Sequence, residues 1–249
     1  MLDLSTYELL IVVATALIAG TLGGITGMST SIIALPVFAI TFGVREAVPI
    51  ITIAMLFNLA SRAAANWPHI DRRVVLWYCI GAVPAAALGG VVFANAPPGL
   101  LARGLGVFLL VLVVWRHLPV AKVREMPLRG FVGVGLAQGF LSAIFGGAGP
   151  FGAHFFLSFG LVRNAFVGTV AAATILVNLT KAGVYGGYSL LDRDLLFAAV
   201  GVGLVMAIGA YIGAQIVRKV SDNAFKYIVE GVMVLASVTL LIQGARSPS

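Results

Sequence analysis

Apolar runs long enough to cross a bilayer, roughly 17–25 residues each, recur along the chain. They lie near 8–28, 46–66, 74–94, 100–117, 130–148, 164–184, 195–217 and 225–243, and charged positions concentrate in the short linkers between them. Two shorter apolar stretches, 29–42 and 149–162, complete the pattern. At 1.5 Å per residue each covers about 20 Å, too little for a comfortable crossing. The pattern predicts an all-α integral membrane protein with eight long helices plus two short broken segments.

Each short stretch directly follows a glycine-rich interruption. The first reads Gly20-Thr-Leu-Gly23-Gly24-Ile-Thr-Gly27-Met28-Ser29-Thr30-Ser31, with Pro36 beyond it. The second reads Gly139-Phe-Leu-Ser142-Ala-Ile-Phe-Gly146-Gly147-Ala148-Gly149-Pro150. Glycine costs about 1 kcal/mol per helix position relative to alanine, and proline removes a backbone hydrogen bond. Broken backbone at membrane depth persists only where protein covers it or where it lines a cavity. Matched breaks in two halves of a chain point to a transporter's binding site.

Charge decides how the short stretches are counted. Arg116, Lys122, Arg124 and Arg129 make the linker before residue 130 basic, and Arg218, Lys219 and Lys226 do the same near 218–226. Basic linkers stay cytoplasmic. Both stay inside if the short stretches cross, because an even number of crossings then separates them. The same count puts 67–73 inside, with Asp192, Asp194 and the N-terminus outside. The first run, preceded by Asp3 and Glu8 without a basic n-region, reads as an uncleaved span. The pattern therefore favours up to ten crossings, with eight helices and two re-entrant dips as the alternative.

An internal repeat supports this. Gly20 matches Gly139, Gly27 matches Gly146, Phe42-Gly43-Val44-Arg45 resembles Phe159-Gly160-Leu161-Val162-Arg163, and Asn58-Leu59 resembles Asn178-Leu179. Asp71-Arg72 resembles Asp192-Arg193. Each half then holds an odd number of crossings, which makes them inverted-topology repeats. The expected organisation is a membrane half-domain at 1–117, a cytoplasmic linker at 118–129 with Pro119 and Pro127, and a second half-domain at 130–249.

Helix starts offer free N–H groups and the positive end of a dipole, a natural place for an anion. Candidate substrate-binding residues are therefore Gly23, Gly24, Gly27, Ser29, Thr30 and Ser31 in the first break. Gly146, Gly147 and Gly149 serve in the second, and Asn58 and Asn178 line the path. The glycines can equally serve close helix packing, and the amides can equally bond helix to helix. Arg62 and Lys181, separated by the same offset as Gly20 and Gly139, are possible cations for an anion; their place near the ends of their runs favours snorkelling to the interface. His154 is a possible proton relay or a packing residue, and Gln138 a further donor. Trp67, Trp77 and Tyr78 read as an interfacial belt.

Composition narrows the function. The chain has 249 residues, 60% hydrophobic and 10% charged, with net charge +7. The basic residues serve topology and carry no nucleic-acid footprint. The single Cys79 excludes a disulfide within the chain. No metal motif, cofactor motif, phosphate loop or catalytic grouping is evident, so no enzyme is expected. A channel of the same architecture and a non-transporting membrane assembly protein are the rival readings to an anion carrier.

The two glycine breaks, together with Gly209-Ala-Tyr-Ile-Gly213-Ala214 ahead of Arg218-Lys219, resemble the TauE/SafE sulfite-exporter family of bacterial membrane permeases. The resemblance covers nearly the whole chain. It departs at Gly27-Met28-Ser29, where members often carry a glycine run, and at Ala148. It implies a multi-pass inner-membrane permease or exporter. Its substrate would be a small anion such as sulfite, sulfoacetate or another organosulfur compound, and protons would be the coupling ion.

Overall fold

Away from water every backbone polar group must be satisfied within the protein, and a chain this apolar answers with helices. The structure is a computed structural model describing residues 5–26, 30–117, 126–161, 163–216, 234 and 237–242. Its helices are α1 (Thr6–Thr26), α2 (Thr30–Phe42), α3 (Val44–Ala65), α4 (Arg72–Asn95), α5 (Pro98–His117), α6 (Gly130–Phe145), α7 (Gly149–Ser158), α8 (Arg163–Gly187) and α9 (Arg193–Ile216). A 3-10 turn, Trp67–His69, precedes α4. Residues 237–242 are also helical. Among the described residues there is no strand.

Among the described residues five helices, α1, α3, α4, α8 and α9, are long and apolar enough to cross a membrane. α2 fills 30–42 of the expected 29–42, whereas α6 and α7 end earlier than the hydropathy suggests. α6 stops at Phe145 because Gly146 turns left-handed, and α7 has 10 residues where 149–162 was expected. At 1.5 Å per residue α7 is about 15 Å long, half the hydrocarbon thickness. The run expected at 225–243 lies largely outside the described residues, as does most of the linker.

The main packed helix pairs recur when α1–α4 are exchanged for α6–α9. α1 packs on α9 as α6 packs on α4; α3 packs on α9 as α8 packs on α4; and α3 packs on α8. Of the five long apolar helices, α3 and α8 are the most buried. The repeated residues do the same work twice. Gly43 (φ 84°) and Gly160 (φ 96°) occupy conformations closed to most side chains and turn the chain from α2 into α3 and from α7 towards α8. Asp71 caps α4, accepting from Arg73 N at 2.9 Å and Val74 N at 3.2 Å. Asp192 starts α9 likewise, accepting from Leu195 N at 2.7 Å.

Glycines let the swapped pairs approach to backbone contact. Gly20 and Gly24 lie against the Met206 and Ala210 carbonyls of α9, and Gly135 and Gly139 against the Tyr78 and Ala82 carbonyls of α4. Gly139→Ala must part α4 from α6. It is expected to cost about 1–3 kcal/mol, the usual range for overpacking, and to lower the melting temperature in detergent. Gly133→Ala meets nothing within 4 Å and is expected to leave it unchanged or slightly raised, since alanine favours helix.

A sidedness experiment separates the crossing schemes. Cysteines at the exposed His69 and Ser189, in a chain lacking Cys79, are expected to react with an impermeant thiol reagent from opposite sides if both short segments cross. Labelling from the same side is the outcome of two dips.

Candidate functional site: a cavity between the two breaks

The two broken segments meet. A methyl group at Gly147 would lie 2.6 Å from Ser31 Cβ, and one at Gly146 2.9 Å from Leu35 Cδ1, so the second break rests on the start of α2. Gly146 has φ 74° and serves as the left-handed cap of α6. Pro150 falls in the first turn of α7, where its missing N–H costs nothing.

Beside this contact lies a cavity of about 40 Å³, far below the several hundred Å³ of a drug-sized ligand site. Thr30 and Ser31 enter it from the start of α2, and Gly146, Gly147, Ala148 and Gly149 from the second break. α3 contributes Met55, Leu59 and Arg62, at the i, i+4, i+7 spacing of one helix face. α8 contributes Val170, Thr174, Val177 and Asn178, α6 contributes Gln138 and Ser142, and α4 contributes Tyr78. No carboxylate is among these lining residues.

Arg62 is 7% exposed, and its Nε and Nη2 have no partner. The snorkelling expected for it does not occur: α3 carries it into the protein interior beside the cavity. Lys181, 1% exposed, does not snorkel either. Its Nζ donates to Ser142 Oγ at 3.1 Å and to the Ser142 carbonyl at 3.4 Å. The Tyr185 hydroxyl donates to the Ala143 carbonyl. Lys181 and Tyr185, one turn apart on α8, thus satisfy carbonyls that the broken C-terminus of α6 leaves open. The ammonium also sits at the negative end of that helix.

Thr30 Oγ1 is buried without a partner. Gln138 Nε2 donates to the Ala148 carbonyl at 3.2 Å across the break, so its donor holds the loop in place, and its Oε1 is unpartnered. Among the described residues no group of His, Cys, Asp and Glu could hold a metal.

Of the residues singled out from sequence, Thr30, Ser31, Arg62, Gly146, Gly147, Gly149 and Asn178 come together at the cavity. Asn58 is buried with both amide atoms unpartnered, yet it does not line the cavity. Gly24 is occupied with packing on α9, and Gly23 leaves room for the Thr30 hydroxyl. Gly27 and Ser29 lie outside the described residues, and the side chain of His154 lies outside what is described. Tyr78 overturns the interfacial expectation. It is 2% exposed and lines the cavity, because it sits on the face of α4 that packs on α6. Ser142 and Thr174 were not singled out. The signal for Ser142 was its place one turn after Gln138 within the second break.

The family model for Sulfite exporter TauE/SafE matches residues 12–240. The chain belongs to the TauE/SafE family. The match spans both breaks and every helix that lines the cavity. At the level of that family it is a multi-pass membrane transporter of the sulfite-exporter type, for a small anion, and not an enzyme. No curated protein and no solved structure matches the chain.

Proposed function

We propose that this TauE/SafE protein is a secondary carrier of the bacterial inner membrane that moves sulfite, sulfoacetate or another small organosulfur anion, driven by the proton gradient. The half-domains 1–117 and 130–249 would rock about the cavity, with 118–129 as their cytoplasmic linker. The observation that carries the reading is Arg62, buried beside the cavity with its Nε and Nη2 unpartnered. An unpaired charge out of water costs several kcal/mol, and an oxyanion in the cavity offsets that cost through charge-assisted hydrogen bonds. Thr30 and Ser31 at the start of α2, and the amides of the second break at the start of α7, support the same ligand. Asn178 is an added amide donor.

Uptake of labelled sulfite or sulfoacetate into proteoliposomes under an imposed pH gradient is the direct test. Saturable, gradient-dependent flux is expected. Flux that does not saturate marks a channel of the same architecture, and no flux for any tested anion points to a non-transporting membrane protein. His154, on α7, is assigned the proton relay, and His154→Gln is expected to flatten the pH dependence of flux. Full pH dependence in that variant removes the assignment.

A further inference from the structure

We infer that Lys181 is a positioning residue for the anion, acting through Ser142, whose hydroxyl proton it turns into the cavity. This rests on the anion-carrier reading and assigns a donor to the same site.

A hydroxyl in a helix ordinarily donates to the carbonyl one turn back. Thr21, Thr41, Thr52, Thr174 and Thr180 all do so here. Ser142 does not. Its Oγ instead accepts from Lys181 Nζ at 3.1 Å, and the same ammonium holds the Ser142 carbonyl at 3.4 Å. An ammonium has donors only, and a hydroxyl has one proton and two lone pairs. With a lone pair engaged by Lys181, the Ser142 proton remains to be given away. Ser142 lines the cavity that Arg62 lines, so an anion there is its acceptor. Polarisation by the ammonium strengthens that donor.

The internal repeat shows why the two cations differ. Lys181 and Arg62 stand at the same offset as Gly139 and Gly20. By that offset the counterpart of Ser142 is Gly23. Lys181 therefore has a serine hydroxyl of the break to hold, while Gly23 brings no side chain and the Thr30 hydroxyl of α2 lies against it instead. One half gives the anion a cation directly, and the other gives it a cation through a serine.

The test is a double-mutant cycle on the purified full-length protein, with sulfite and sulfoacetate as probes and Kd and melting temperature measured together. Ser142→Ala and Lys181→Met are each expected to raise Kd about tenfold, the scale of one charge-assisted hydrogen bond. The double variant is expected to raise it no further than the worse single variant. Lys181→Arg is expected to recover part of the loss. A purely structural Lys181 lowers the melting temperature without changing Kd, and that result overturns the inference. So do additive losses of affinity. Should Lys181→Met fail to fold, Ser142→Ala alone decides, because an unchanged Kd there is equally fatal. Wild-type protein that binds neither probe sinks the anion-carrier reading itself, and this inference with it.

Discussion

Arg62→Met is expected to weaken binding of the transported anion by about 30-fold or more while leaving the protein as stable as before, or more so. The Arg62 guanidinium is buried and its Nε and Nη2 have no partner. Removing a charge that nothing neutralises relieves a desolvation penalty, and apolar replacements of buried ions are often neutral or stabilising. In the loaded protein the same group would supply charge-assisted hydrogen bonds. Truncating one partner of such a buried pair costs about 2–5 kcal/mol, or roughly 30- to several-thousand-fold in affinity. The two effects have opposite signs, and this makes the measurement decisive. Calorimetric titration with sulfite or sulfoacetate gives the affinity, and the melting temperature in detergent gives the stability. A fall in both would make Arg62 a structural residue. Unchanged affinity would remove it from the site. Arg62→Lys keeps the charge but loses the planar fork, and an intermediate affinity is expected.

Gly147→Ala carries the second largest effect. The added methyl would lie 2.6 Å from Ser31 Cβ, so the second break can no longer rest on the start of α2. Overpacking of this kind costs about 1–3 kcal/mol, and here it falls on the contact between the two breaks. Turnover is expected to drop about 5- to 150-fold, the same energy expressed as a ratio, with membrane insertion retained. The control is built into the contact. Ser31→Gly removes the Cβ that the methyl meets, and the Gly147→Ala, Ser31→Gly double variant is expected to turn over faster than Gly147→Ala and to approach the rate of Ser31→Gly alone. Transport by Gly147→Ala at the wild-type rate would mean that the breaks tolerate separation, and that their contact does not shape the site.

Much of the architecture is written locally. Hydropathy fixes where helices run, and glycine and proline fix where they stop. Residues such as Gly43 with Gly160, and Asp71 with Asp192, repeat because equivalent turns and caps recur in each half. The helix bounds fall within three residues of the apolar runs for α3, α4, α5, α8 and α9. Ser31, at the start of the helix after the first break, meets Gly147 of the second.

Other roles depend on what stands across a helix interface. Gly24 and Gly147 look alike in sequence, yet one faces the Ala210 carbonyl and the other Ser31. Tyr78 follows Trp77 beside a basic linker, and only the packing of α4 on α6 sends it to the cavity. Arg62 and Lys181, near the ends of their apolar runs, invite snorkelling; the interior burial of α3 and α8 forbids it. The sequence by itself determined the all-helical membrane class, the two breaks and the repeat, because hydropathy and backbone propensity act over a few residues. Only the tertiary structure decided which cation is open to the cavity and which is tied to Ser142. That choice rests on the facing residue from a helix about forty positions away, a relation no local pattern encodes.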